Sequence, residues 1–392
     1  MIRRNLPRGY GPTFYLAFLA SLLFFGSLHL LITPLPMYIE EIGGGPVQVG
    51  LAGTSFAIAA LVLRPYMGRL VDTQGRKRAL LIGAAIFTIG PLSYTVATSL
   101  PAFQVARMFH GIGISAFTSA YYVLIADVTP PSRWGSALGL AGIAPSVSMI
   151  IASPMGTLLL QHTSYTLVFI VAGLMALASL VVVILIDEPR RVTIPSHSGD
   201  PGTAGVHDVA RLRGVLAPSL VTLTLGLSYG SILSFLPLFA LDRGLGNVGF
   251  FFTVSSLSIV ASRSMAGRLS DRVGRLPVIL PLVAILGLSL IGLNWTYAFG
   301  TLMVMAALQG TGFGGARVGL ETMVVDNAPA RARGAALSLV YFCFDTGIAA
   351  SGLILGAVAN LAGYGRGYLM VGGVCFLTLI LFAAAMRRPA TA

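Results

Sequence analysis

Four ionisable residues stand well inside long apolar runs of this 392-residue chain: Arg107, Arg317, Glu321 and Asp345. A charge at the centre of a bilayer costs at least about 2.5 to 3.5 kcal/mol on insertion scales, which makes each of the four a functional candidate. Arg317 and Glu321 are four residues apart and share one side of a helix, so the plainest reading is a self-neutralising pair that locks a helix or a gate. Asp345 has no basic neighbour in its own run. Reversible protonation is therefore the chemistry to expect of it, alone or with Glu321; the structural alternative is a carboxylate held by hydroxyls of a neighbouring helix. Arg107 could tune a carboxylate or bind an anionic group of a substrate. His110, one turn further on, would titrate near neutrality in a wet cavity, or would serve as a hydrogen-bonded packing residue, as would His29.

The elements that must position these residues follow from composition. The chain is 56% hydrophobic and 10% charged, with a mean hydropathy of +0.86, against roughly 25% charged residues in soluble domains. The formal net charge of +12 does not indicate nucleic acid, because the bases sit between apolar runs and not on one exposed face. Cys343 and Cys375 both fall in apolar segments, which leaves no disulfide framework and no metal knuckle. No metal and no cofactor are expected. Apolar runs of about 20 residues place spans near 14–36, 47–69, 79–98, 101–126, 135–160 and 166–187. A second set lies near 215–239, 247–269, 277–295, 297–325, 334–360 and 364–386. The fold class is thus an all-α membrane protein of twelve transmembrane helices in two six-helix bundles, residues 1–187 and 215–392. The first span is too long for a secretory segment and lacks a cleavage site. The polar stretch 188–214, which includes Pro195 to Gly202, cannot bury a core of its own and reads as a cytoplasmic linker, with a short surface helix possible near Asp208 to Arg213.

Arginine and lysine set the orientation, since basic loops are retained in the cytoplasm. Arg3, Arg4 and Arg8 precede the first span, and Arg76, Lys77 and Arg78 follow the second. Arg133 follows the fourth, and Arg190, Arg191, Arg211 and Arg213 follow the sixth. Arg268, Arg272 and Arg275 follow the eighth, Arg331 and Arg333 the tenth, and Arg387 and Arg388 the twelfth. The opposite loops carry only Arg243 and Arg366. Both termini are expected in the cytoplasm, in a multi-pass inner (plasma) membrane protein that functions as a monomer in the lipid bilayer.

Two polar loops nearly repeat each other: Gly68-Arg-Leu-Val-Asp-Thr-Gln-Gly-Arg-Lys77 and Gly267-Arg-Leu-Ser-Asp-Arg-Val-Gly-Arg-Leu276, at an offset of 267 − 68 = 199. The same offset carries Gly111 and Gly113 onto Gly310 and Gly312, and Asp127 and Pro130 onto Asp326 and Pro329. Internal duplication is how many membrane transporters are built. None of the four buried charges is duplicated: their repeat positions hold Ala306, Thr118, Tyr122 and Ser146.

The first loop resembles the Gly-x-Leu-x-Asp-x-x-Gly-Arg-Lys/Arg motif of the major facilitator superfamily, with Gly68, Leu70, Asp72, Gly75, Arg76 and Lys77 at every position. Arg107-x-x-His110-Gly111-x-Gly113 is similar to that family's Arg-x-x-Gln-Gly-x-Gly motif, with histidine for glutamine. The resemblance covers essentially the whole chain. It implies a conformational latch of Gly68, Asp72, Gly75, Arg76, Lys77 and Asp127, with Asp271 and Arg275 in the second copy. Asp72 would accept amides at the start of span eleven near Gly334, and Arg76 would pair with Asp127. These contacts would hold the outward-open state and break when the protein opens inward. The second copy, ending in Leu276-Pro277, is expected to do less.

The resemblance further implies a central cavity lined by spans four and seven, with Arg107, His110, Tyr121, Tyr122, Tyr229, Arg317 and Glu321 as cavity candidates and Asp345, Glu321 and Arg107 as the proton-coupling set. Span five, with Gly135, Gly139, Gly142, Pro145, Pro154 and Gly156, partly resembles the glycine-proline motif of proton-coupled antiporters. Ser153 and Thr157 depart from it. Gly226-Leu-Ser228-Tyr-Gly230 matches a nucleophile-elbow string but falls inside an apolar helix, and no phosphate loop is present because the only lysine is Lys77. The expectation is a non-enzymatic secondary transporter, most like the bacterial drug and proton antiporters, that exports a small amphipathic molecule against protons. The alternatives are a proton symporter or facilitator for uptake of a small metabolite, and a non-transporting receptor with the same fold.

Overall fold

The structure, a computed structural model, describes residues 10–187, 212–329 and 332–387. Most of the linker, Arg331 and both chain ends lie outside them, as does the surface helix expected from Asp208, apart from its last residues. Twelve helical spans follow one another: α1 Pro12–Glu41, α2 Pro46–Gln74, α3 Arg76–Tyr94, α4 Leu100–Asp127, α5 Trp134–His162, α6 Tyr165–Ile184, α7 Arg213–Asp242, α8 Gly249–Val273, α9 Leu276–Leu293, α10 Phe299–Asn327, α11 Arg333–Ala362 and α12 Tyr364–Arg387. No strand occurs among the described residues. Nine of these helices are long and apolar enough to cross a membrane by length and composition alone; α3, α8 and α10 are not among them. Their sequences explain this: α3 opens on Arg76-Lys77-Arg78, α8 is rich in serine, and α10 carries six glycines beside Arg317 and Glu321.

The local stops are chemical. Prolines near the first turn of α1, α2, α4 and α9 need no intrahelical N–H there and preset the helical φ. Gly75 and Gly274, repeat equivalents, hold φ of 103° and 92° between α2 and α3 and between α8 and α9. An L side chain is strained in that conformation, so the sharp turn of each polar loop requires the glycine. α1 is broken between Leu30 and Pro34, where Pro34 and Pro36 restart it, and α5 is interrupted at Gly142.

Packing repeats as the sequence does. In the first half α1 packs on α5 and α6, α2 and α3 pack on α4, and α3 packs on α6. In the second half α7 packs on α11 and α12, α8 and α9 pack on α10, and α9 packs on α12. Each pairing is the earlier one advanced by six helices. Two pairs make most of the contact between the halves, α2 with α11 and α5 with α8, and α7 also touches α1 and α2. A pseudo-twofold axis exchanges the two main pairs.

The halves meet at one end only. At the end away from the two polar loops a single apolar cluster runs through both halves and includes Leu30, Tyr38, Phe103, Phe169, Phe235 and Phe251. At the polar-loop end each half keeps its own cluster, one around Phe24, Phe87, Phe117 and Tyr121 and one around Val215, Val324 and Val340. Apolar packing is the main cohesive term between the helices, so the molecule is sealed at its far end and parted at its loop end.

Candidate functional site

The far-end seal is built twice from the same positions. Gly50 of α2 lies so close to Gly352 of α11 that a Cβ on it would overlap the Gly352 carbonyl. Gly249 of α8, the repeat equivalent of Gly50, meets the backbone of Ser153 and Pro154 in α5 in the same way. One turn along, Thr54 Oγ1 donates to the Ala349 carbonyl at 2.7 Å, and its equivalent Thr253 Oγ1 donates to the Ile150 carbonyl at 2.8 Å. Only glycine allows backbones this near, and each hydroxyl satisfies a carbonyl of the opposite half. Tyr364 adds a bond from its hydroxyl to Glu40 Oε1 at 3.1 Å.

Toward the loop end α2 and α11 part, and a side-chain bridge takes over. Arg64 Nη1 lies 2.7 Å from Asp345 Oδ2, with side-chain exposures of 43% and 20%. Cα–Cβ bonds tilt toward the helix N-terminus. The N-termini of α2 and α11 lie at opposite ends of the molecule, so the two side chains lean toward each other across the divide. Asp345 is therefore not without a counter-ion, as its own helix suggests; the partner comes from the other half. Arg64 and its repeat equivalent Arg263 lie inside the apolar spans 47–69 and 247–269, and the offset of 199 marks both as further charges beside the four named above.

Arg263 is found with four other polar residues from three helices. Arg317 Nε donates to Glu321 Oε1 at 2.9 Å within α10, and the Arg317 guanidinium stacks at 4.0 Å from the Phe344 ring centroid. Tyr122 of α4, Tyr341 of α11 and Arg263 of α8 lie within electrostatic reach of that pair. A recess of about 300 Å³ beside it is lined by Glu321, Thr322, Val325, Leu337 and Tyr341. Tyr229 of α7 stacks on Phe313, centroids 4.9 Å apart, and forms an aromatic wall with Phe344. Of the cavity candidates, Tyr122, Tyr229, Arg317 and Glu321 are brought together.

Arg107, His110 and Tyr121 are not. Tyr121 is fully buried in the first half's own core and donates to the Ala141 carbonyl at 3.1 Å. His110 is fully buried, 2.8 Å from the Tyr94 hydroxyl through Nδ1 and packed on Phe56 and Phe87. Arg107, 8% exposed, donates to that hydroxyl at 3.3 Å and lies 4.4 Å from the Phe56 centroid. No carboxylate pairs with it among the described residues, so the carboxylate-tuning part expected of Arg107 has no partner here. All three share a helix with Tyr122, but Arg107 and His110 face α2 and α3 and Tyr121 faces α5, not the divide. His29 is likewise a packing residue, 2.7 Å from Ser148 Oγ.

In the polar loops, Arg76 Nε lies 2.7 Å from Asp127 Oδ2. Lys77 Nζ donates to the Ile184 carbonyl at 2.8 Å, closing the end of α6. Asp72 is exposed, and a Cβ on Gly68 or Gly334 would meet nothing within 4 Å. Among the described residues the cross-half bond expected from Asp72 to α11 is not made; the loop ties helices of its own half. The second copy is also paired. Arg275 holds Asp271 at 2.6 Å and Asp326 at 3.0 Å, and these two carboxylates raise its already high pKa. Asp326, which the offset of 199 pairs with Asp127, thus belongs to the second copy beside Asp271 and Arg275. At the far end, Arg243 donates to the carbonyls of Leu293, Asn294 and Thr296 and so caps α9.

Two repeated six-helix halves, closed over one end and bridged by charges at mid-depth, define a multi-pass membrane protein of transporter architecture. The family model described as Major Facilitator Superfamily matches residues 17–297 and 219–392, and the chain belongs to that superfamily. It is 25% identical over 379 residues to multidrug resistance protein MdtG of Klebsiella pneumoniae (strain 342), covering 93% of this chain and 91% of the relative. It is 21% identical over 387 residues to the staphylopine export protein of Staphylococcus aureus (strain Mu50), covering 95% of each. Among solved structures, the nucleoside transporter NupG superposes with a TM-score of 0.80 at 13% identity, covering 96% of this chain and 100% of that chain. At that identity the likeness concerns the fold.

Proposed function

We propose that the protein is a secondary active exporter that moves a small amphipathic molecule by alternating access, driven by protons. The observation that carries this is the pairing of a seal made twice at one end with separate cores and a bridging charge pair at the other. A substrate reaches the Tyr122, Tyr229, Arg317 and Glu321 group from the loop end only. With the arginine-rich loops in the cytoplasm, this state is inward-open, both termini are cytoplasmic, and the monomer is the working unit in the inner membrane.

Asp345 is the coupling carboxylate of this reading. When ionised it holds Arg64 across the divide; when protonated it releases Arg64, so proton occupancy biases how the halves rock. Glu321 is the second acid, tied to Arg317. Arg76, Asp127 and their second copies Arg275, Asp271 and Asp326 brace each half internally. Gly68 and Asp72 act in the opposite state, where the loop ends close on one another. Export over uptake is favoured by the family relatives named for drug resistance and export.

Inverted and right-side-out vesicles, given a panel of fluorescent amphipathic compounds under an imposed pH gradient, test the reading. Accumulation in acid-interior inverted vesicles is expected. Accumulation only in right-side-out vesicles with acid outside would establish uptake instead, and no flux in either would establish a non-transporting role.

A further inference from the structure

Three arginines stand at mid-depth between the halves, and two of them are neutralised. Arg64 is paired with Asp345, and Arg317 with Glu321. Arg263 has no ion pair within 4 Å among the described residues, and its Nε is buried without a hydrogen-bond partner. The internal repeat shows what is missing. Thr54 to Ala349 and Thr253 to Ile150 are equivalent bonds at equivalent positions, so the α5 and α8 interface runs in the same register as that of α2 and α11. In that register Asp345, the counter-ion of Arg64, corresponds to Ser146. The second interface thus keeps the arginine and lacks its carboxylate. Glu321 makes its ion pair with Arg317, and Arg263 feels the positive charge of Arg317 more strongly than the negative charge of Glu321. A half-buried guanidinium with no ion pair keeps its capacity to take one, and its planar fork matches a carboxylate or similar oxyanion bidentately.

We infer that the cargo carries an acidic group, a carboxylate or comparable oxyanion, and that Arg263 receives it where the repeat would otherwise place an aspartate. The apolar body of such a cargo lies against the wall of Tyr229, Phe313 and Phe344, with Tyr122 and Tyr341 flanking the charge. This assignment rests on the exporter reading for the direction of travel, but binding itself does not depend on it.

Equilibrium titration of the purified protein with 1-naphthoate, 1-naphthalenemethanol and 1-naphthylmethylammonium, which share one ring system and differ in charge, tests it. Wild type should bind the carboxylate at least about tenfold more tightly than the alcohol, as expected for a charge-assisted bidentate contact. Arg263→Gln should erase that preference, and Arg263→Lys should keep part of it. Ser146→Asp, which supplies the missing carboxylate, should also erase it while leaving affinity for the alcohol unchanged. Equal binding of the three probes, preference for the cation, no binding of naphthoate, or a preference that survives both Arg263→Gln and Ser146→Asp would overturn the inference. Selective binding with no flux in vesicles would leave it standing and remove the exporter reading instead.

Discussion

The interface of α2 with α11 and that of α5 with α8 are copies that agree at one end and differ at mid-depth. Both have a glycine against a backbone and a threonine hydroxyl donated to the opposite half. They then diverge: Arg64 meets Asp345, whereas Arg263 has no ion pair among the described residues and Ser146 holds the position equivalent to Asp345. What the duplication shares builds the moving joint, and what it does not share sets the chemistry. On the proposed reading, equal joints let the halves rock about a pseudo-twofold axis, while unequal charges give one interface to the proton and the other to the cargo.

The comparison is broken most severely at the glycines. Gly50→Leu or Gly249→Leu forces a side chain into opposing backbone, and overpacking of this kind costs about 1–3 kcal/mol. The far-end-closed population should fall by roughly ten- to a hundredfold, with the same loss for either variant. Distances between labels on the two halves, measured across the far end, report it, and a marked inequality between the variants would mean that the two interfaces are not equivalent joints. A smaller effect is expected from Thr54→Val and Thr253→Val, each removing one hydrogen bond worth about 0.5–1.5 kcal/mol. The two effects should match and should add in the double variant, because the sites are far apart. The smallest lies in the polar loops. Arg76→Ala and Arg275→Ala remove partly exposed ion pairs worth up to about 1 kcal/mol each. Thermal melting should shift by a few degrees at low salt and less at high salt, more for the less exposed Arg76 pair.

The twelve spans and their order are legible in the sequence because a bilayer demands long apolar runs. The offset of 199 exposed the duplication. Less legible was which side of a helix faces the divide. Arg107, His110 and Tyr121 share α4 with Tyr122, and α4 is apolar on nearly every side, so its sequence pattern does not separate a face toward its own bundle from one toward the other half. Asp345 seemed unpaired because its partner lies in the other half. Arg64 and Arg263 stand at the same offset of 199 inside equivalent spans, so the repeat itself marks them.

Proteoliposomes holding Asp345→Asn beside wild type test the central claim most directly. Losing the ionisable group should abolish accumulation driven by a pH gradient, while exchange of cargo down its own gradient and the yield of folded protein persist. If pH-driven accumulation survives in Asp345→Asn, the proton is not carried at the Arg64 and Asp345 bridge, and the division of labour between the two interfaces is wrong.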